Sequence, residues 1–79
     1  MAVQASTRYQ VRYQKMDGTS YQAAVKEASS LWEVVQAAME LLDQGFEITT
    51  IERIVTTNEP LTPREADTVR MLTNGRIKP

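Results

Sequence analysis

From Arg8 to Gln14 the chain alternates strictly, with Tyr9, Val11 and Tyr13 on one side and Arg8, Gln10, Arg12 and Gln14 on the other. Successive side chains of an extended strand point to opposite faces, so this pattern predicts a half-buried strand. A second run, Tyr21 to Val25, sets Tyr21, Ala23 and Val25 on one face, and Met16-Asp17-Gly18 between the two is a turn signal. A two-residue Asp17-Gly18 loop would place Tyr13 opposite Gln22 and Val11 opposite Ala24. A three-residue loop, with Gly18 left-handed in a G1 bulge, pairs Tyr13 with Tyr21, Val11 with Ala23 and Tyr9 with Val25. A slip of one residue exchanges the two faces of a strand, so the three-residue loop is the expected one: it gives a single apolar face. Arg8 then stands opposite Lys26 and Arg12 opposite Gln22 on the outer face, with Gln10 and Gln14 alongside.

Periodicity changes after Ser29. Leu31, Val34, Val35, Ala38, Leu41 and Leu42 recur at helical spacing and predict a helix over residues 31–44. Ser30 and Glu33 fit a capping box at its start; Gly45 suits the left-handed position after its end, with Phe46 folding back in a Schellman motif. Residues 46–56 are rich in β-branched side chains and predict a third strand. Its alternation breaks between Ile48 and Ile51, which points to a bulge near Thr49-Thr50. Thr57-Asn58-Glu59-Pro60 is read as a loop. Thr62, Pro63 and Glu65 then start a second helix, stapled by Leu61 on Ala66 and ending at Asn74-Gly75.

The expected fold is therefore α+β with the order ββαβα. It would be a small three-stranded, mostly antiparallel sheet with strand three beside strand one. One amphipathic helix packs on one face, and a short C-terminal helix follows. Seventy-nine residues make one domain, 1–79, with residues 1–6 and 76–79 expected to fray. A core this small supplies only about 3–5 kcal/mol of net stability, and without cysteine no disulfide can reinforce it. Oligomerisation is the staple that remains.

Charge sharpens this picture. The net charge is −1, which argues against general affinity for nucleic acid. Its distribution is uneven: residues 1–26 carry Arg8, Arg12, Lys15 and Lys26 against Asp17, while residues 27–52 hold six acids and no base. Met1 to Ser6 has neither the basic start nor the apolar stretch of a signal peptide, and Leu31 to Leu42 is interrupted by Glu33, Gln36 and Glu40. A cytoplasmic protein without membrane contact is expected.

Reactive chemistry is sparse. The chain has no histidine and no cysteine, which removes the commonest general base, the commonest metal ligand and the thiol nucleophile. Ser29 and Ser30 read as helix caps, and Gly18, Gly45 and Gly75 each follow an element and form no phosphate loop. Glu33 and Glu40 share a solvated helix face and do not frame a glycosidase cleft. No enzyme activity, cofactor, metal or small-molecule substrate is expected.

Surface is what remains. Arg8, Arg12 and Lys26 could contact phosphates, with Gln10, Gln14 and Gln22 able to read base edges. Trp32, with Met39 two turns along the same flank, lies beside the buried stripe of the first helix and could anchor a protein partner. In size and element order, though in no residue motif, the chain resembles the small α+β accessory proteins of phages and mobile elements, including inhibitors of host defence complexes. Fold alone does not give function. Two functions are carried forward: a non-enzymatic module that binds another protein or a second copy of itself, and a nucleic-acid-binding accessory domain using the outer hairpin face. The candidate contact residues are Arg8, Gln10, Arg12, Gln22, Lys26, Trp32 and Met39.

Overall fold

A computed structural model describes residues 7–79, with Asp17 described by its backbone alone. The elements are β1 (Arg8–Asp17), β2 (Ser20–Ala28), α1 (Leu31–Asp43), β3 (Glu47–Ile54), β4 (Asn58–Pro60) and α2 (Pro63–Leu72). The strands form one antiparallel sheet in the order β2-β1-β3-β4. The α+β class and the placement of β3 beside β1 match the sequence expectation. The sheet has four strands, not three. Asn58-Glu59-Pro60 was expected to be a loop; no apolar alternation announces it as a strand. Charge and hydrogen bonds recruit it instead: Arg53 Nη1 lies 3.1 Å from Glu59 Oε2 across the pair, and Asn58 Nδ2 donates to Gln10 Oε1 at 2.6 Å.

The helix ends follow their local chemistry. Ser30 Oγ accepts from the Glu33 amide, but the Glu33 carboxylate turns one residue further back than a capping box requires. It accepts from the Ser29 amide at 2.7 Å and from the Ser29 hydroxyl at 2.6 Å. At the far end of α1, Phe46 N donates to Leu41 O and Gly45 N to Leu42 O, a Schellman closure with Gly45 at φ 91°. In α2 the capping box is complete: Glu65 N donates to Thr62 Oγ1 and Thr62 N to Glu65 Oε1, with Pro63 at the first helical position.

The core joins both helices to one face of the sheet. Tyr9 and Val11 of β1, Ala28 of β2 and Ile51 of β3 meet Val34, Val35, Ala38 and Leu41 of α1 and Val69 of α2. The expected bulge is present. Arg12 pairs with Thr50 and Tyr13 with Ile48, which leaves Thr49 as the extra residue, its hydroxyl donating to Arg12 O. The bulge keeps Ile48 and Ile51 on the core side despite their odd spacing. Tyr13 and Phe46 meet edge to face at 5.1 Å, and Lys15 Nζ lies over the Phe46 ring while donating to Gln44 O at the end of α1.

Two further expectations are corrected. Residues 76–79 are not frayed as a group, because Ile77 is only 6% exposed and belongs to the core cluster. The fully buried Thr73 holds it there: its hydroxyl donates to Val69 O at 2.7 Å and accepts from Ile77 N at 3.3 Å. Residues 1–6, also expected to fray, lie outside the described residues.

The second correction concerns the hairpin register. Asp17 pairs with Ser20 across a two-residue Gly18-Thr19 loop, so Tyr13 faces Ala24, Val11 faces Lys26 and Tyr9 faces Ala28. Gly18 takes φ 65° while Thr19 keeps a negative φ, the signs expected of a type II′ turn with glycine first. The three-residue loop presupposed that Tyr21, Ala23 and Val25 are buried. They are exposed, because in the observed register they lie on the sheet face away from α1; Gln22, Ala24 and Lys26 on the helix side are exposed too, and where neither face is buried the turn decides the register.

Ile77→Ala should cost about 2–4 kcal/mol through the cavity it leaves, measured by urea unfolding. An effect below about 0.5 kcal/mol, the usual size for a surface substitution, would show that the C-terminal residues do not pack.

Candidate interaction surface

The observed register re-sorts the hairpin. Side chains of Gln22, Ala24 and Lys26 fall on the helix side of β2, and those of Tyr21, Ala23, Val25 and Glu27 on the outer side, level with Met16, Gln14, Arg12 and Gln10 of β1. Pairing between β1 and β3 stops at Gln14 and Glu47, so the hairpin from Lys15 to Gln22 projects as a two-stranded ribbon. At its tip Met16 and Tyr21 are cross-strand partners, 63% and 59% exposed. With Ala23 and Val25 they make an apolar stripe along the free edge.

The backbone of that edge is open as well. In a two-residue hairpin the closing pair, here Asp17 and Ser20, exchanges both hydrogen bonds. Backbone groups of Ser20, Gln22, Ala24 and Lys26 therefore turn toward β1. Those of Tyr21, Ala23, Val25 and Glu27 turn outward. The same four residues thus present their side chains on the uncovered face and their N–H and C=O groups along the edge.

The outer arginines are not free. Arg8 Nη2 lies 3.1 Å from Glu27 Oε2, and Arg12 Nε lies 3.2 Å from Glu52 Oε1. Gln10 accepts from Asn58, Gln14 donates to Glu47 and accepts from the Tyr21 hydroxyl. Lys26, placed with the arginines by the expected register, stands on the opposite face in a shallow concavity shared with Glu33 and Glu40 of α1. Acids from β2 and β3 thus offset the charge that composition assigned to the hairpin.

The seven candidate residues do not converge. Arg8, Gln10 and Arg12 share the outer face of β1, Gln22 and Lys26 the inner side of β2, and Trp32 stands 58% exposed on α1. Met39 is part-buried against the core, its Sδ 3.8 Å from Arg76 Nη1, while Arg76 also reaches Asp43. Sequence reasoning missed Met16, Tyr21, Ala23 and Val25 as a surface group. The signal was Gly18 followed by Thr19, since glycine first in a two-residue loop fixes the type II′ register.

A second cluster joins α2 to the sheet. Tyr9 Oη donates to Glu65 Oε2 at 2.6 Å. Arg53 Nε lies 3.2 Å from Glu65 Oε1, an ion pair outside hydrogen-bond geometry, and Arg53 Nη1 reaches Glu59. Burial, the hydrogen bond to Glu65 and the nearby Glu65 charge push Tyr9 up to about 12, with Arg53 opposing. Burial alone would raise Glu65, but bonds from Tyr9 and Thr62 and the Arg53 charge hold it below the ordinary carboxylate value. Among the described residues no group of three or more His, Cys, Asp or Glu side chains could hold a metal ion.

Comparison with models of known families, with curated proteins and with solved structures gives no match.

Because Tyr9 binds its proton more tightly when folded, its stabilising contribution is complete below its ordinary value of 10.0 and disappears as pH rises toward about 12. Wild type should lose more stability than Tyr9→Phe between about pH 9 and about pH 11.5, read from urea midpoints. Equal losses would mean that the Tyr9 hydroxyl does not titrate in this way.

Proposed function

We propose that the chain is a small non-enzymatic protein-binding module that engages its partner by strand addition along β2. The observation that carries this reading is the coincidence, on one exposed strand, of outward backbone groups and an apolar stripe at Tyr21, Ala23 and Val25. In strand addition, main-chain bonds supply affinity and alternate side chains supply specificity. Both are available at this edge. A module of this kind acts by surface complementarity, as an accessory or inhibitory subunit of a larger assembly, and it needs none of the catalytic groups the composition lacks.

Nucleic-acid binding through the outer hairpin face is the less favoured reading, since Arg8 and Arg12 already hold Glu27 and Glu52. No helix of the described residues is long and apolar enough to cross a membrane; the cytoplasmic location we propose rests on a composition without cysteine, which suits a reducing compartment.

Ala23→Pro provides the test. Its amide points outward in the observed register, so proline there blocks added strands without removing a β1–β2 bond. Capture from the native host, with proteins identified by mass spectrometry, should recover a partner with wild type, lose it with Ala23→Pro and retain it with Arg64→Gln, an exposed position on α2 away from β2. Recovery indifferent to Ala23→Pro would remove β2 from the interface. Labelled duplex DNA should not bind even at about 50 mM salt, where phosphate contacts are strong; tight, salt-sensitive binding would favour the nucleic-acid reading.

A further inference from the structure

Resting on the assignment of β2 as the binding edge, we infer that the strand it accepts is β2 of a second copy of this chain, in a two-fold antiparallel pair centred on Ala24. The inference comes from the self-complementarity of Ser20–Ala28. Centring on Ala24 sets Tyr21 opposite Glu27 of the partner subunit, Ala23 opposite Val25 of the partner subunit, and Gln22 opposite Lys26 of the partner subunit. The full length of β2 is used. All four outward-facing residues of each copy, Tyr21, Ala23, Val25 and Glu27, find main-chain partners, because in this register they oppose one another.

Charge agrees with the register. Glu27 and Lys26 are the only charged residues of β2, and neither meets a like charge: Glu27 faces a tyrosine and Lys26 a glutamine. Opposed like charges destabilise a strand pair, so their absence along a self-paired strand counts. Lys26 also keeps company with the acidic flank of α1, where Glu33 and Glu40 line the same concavity. On the outer face the Tyr21, Ala23 and Val25 stripes of two copies join into one apolar band. A two-fold pair of identical patches is the commonest assembly of soluble homo-oligomers. The result would be a continuous eight-stranded sheet with both helical layers on the same side.

Cysteine placement reads the register directly, because the chain has no other cysteine. At Ala24 the two copies are directly opposite and within the roughly 7 Å Cα separation that a disulfide requires. At Gln22 the like residues are four positions apart along the strand, about 13 Å, and cannot be bridged. Mild oxidation should convert Ala24→Cys to a covalent dimer and leave Gln22→Cys monomeric. Sedimentation equilibrium of wild type should give twice the 8.9 kDa chain mass, with the dimer dissociation constant raised at least about 30-fold in Ala23→Pro. Circular dichroism checks that the variant is folded, and Val25→Pro, whose amide also points outward, replaces it if it is not.

A wild type that stays monomeric up to millimolar concentration would overturn the self-pairing. So would a Gln22→Cys dimer formed without an Ala24→Cys one. Either result leaves a foreign partner on β2 to be judged by the capture experiment. Conversely, a dimer that withstands both proline substitutions would place the self-contact elsewhere and overturn the self-pairing, while the capture experiment alone decides whether β2 binds a foreign partner.

Discussion

One helix cannot cover this sheet. An α-helix with its side chains is about 10 Å across and strands lie about 4.8 Å apart, so α1 shields roughly two strands. Beneath it Val11 of β1 and Ile51 of β3 are buried against Val34, Val35, Ala38 and Leu41. Of β2 only Ala28 is buried, at the end of the strand from which the chain turns into α1. Everything particular about the hairpin follows from this limit: the turn sets its register, its apolar residues stay exposed, and its outer backbone is left open.

On the other side of the molecule the sheet is secured by polar contacts as much as by packing. Glu65 is at once the capping residue of α2, the acceptor for Tyr9 of β1 and the ion partner of Arg53 of β3. Arg53 in turn holds Glu59 of β4. A single carboxylate thus positions the second helix over the first strand and, through Arg53, steadies the fourth strand. Partly buried charges of this kind are tolerated because each faces an opposite charge: Arg53 stands between Glu59 and Glu65, and Glu65 also accepts from Tyr9.

Legibility in the sequence followed what each pattern physically encodes. Helix boundaries were readable from Ser30, Gly45, Thr62, Pro63 and Asn74-Gly75, because caps are local chemistry and act on their own segment. The bulge at Thr49 was readable because it breaks a period. The hairpin register was not, since the alternation of Tyr21, Ala23 and Val25 predicts a buried face, and neither face of β2 is buried before Ala28. Strand β4 was missed because its pairing rests on Arg53–Glu59 and Asn58–Gln10, contacts between residues distant in pattern if not in space. The candidate surface shared that fate: Arg8 and Arg12 were correctly placed outward, but their neutralisation by Glu27 and Glu52 depends on a register that charge counting cannot see.

The two edges of the sheet differ in a way that bears on growth. β4 is three residues long and ends in Pro60, which has no amide to donate and cannot template a further strand. β2 is nine residues long and open. A sheet with one extensible side is a chain terminator in the polymer sense: once that side is occupied, nothing remains to propagate, and association by strand addition closes at a finite assembly. The short, proline-ended fourth strand therefore confines any strand addition to β2, so that a pairing made there does not propagate into a fibril.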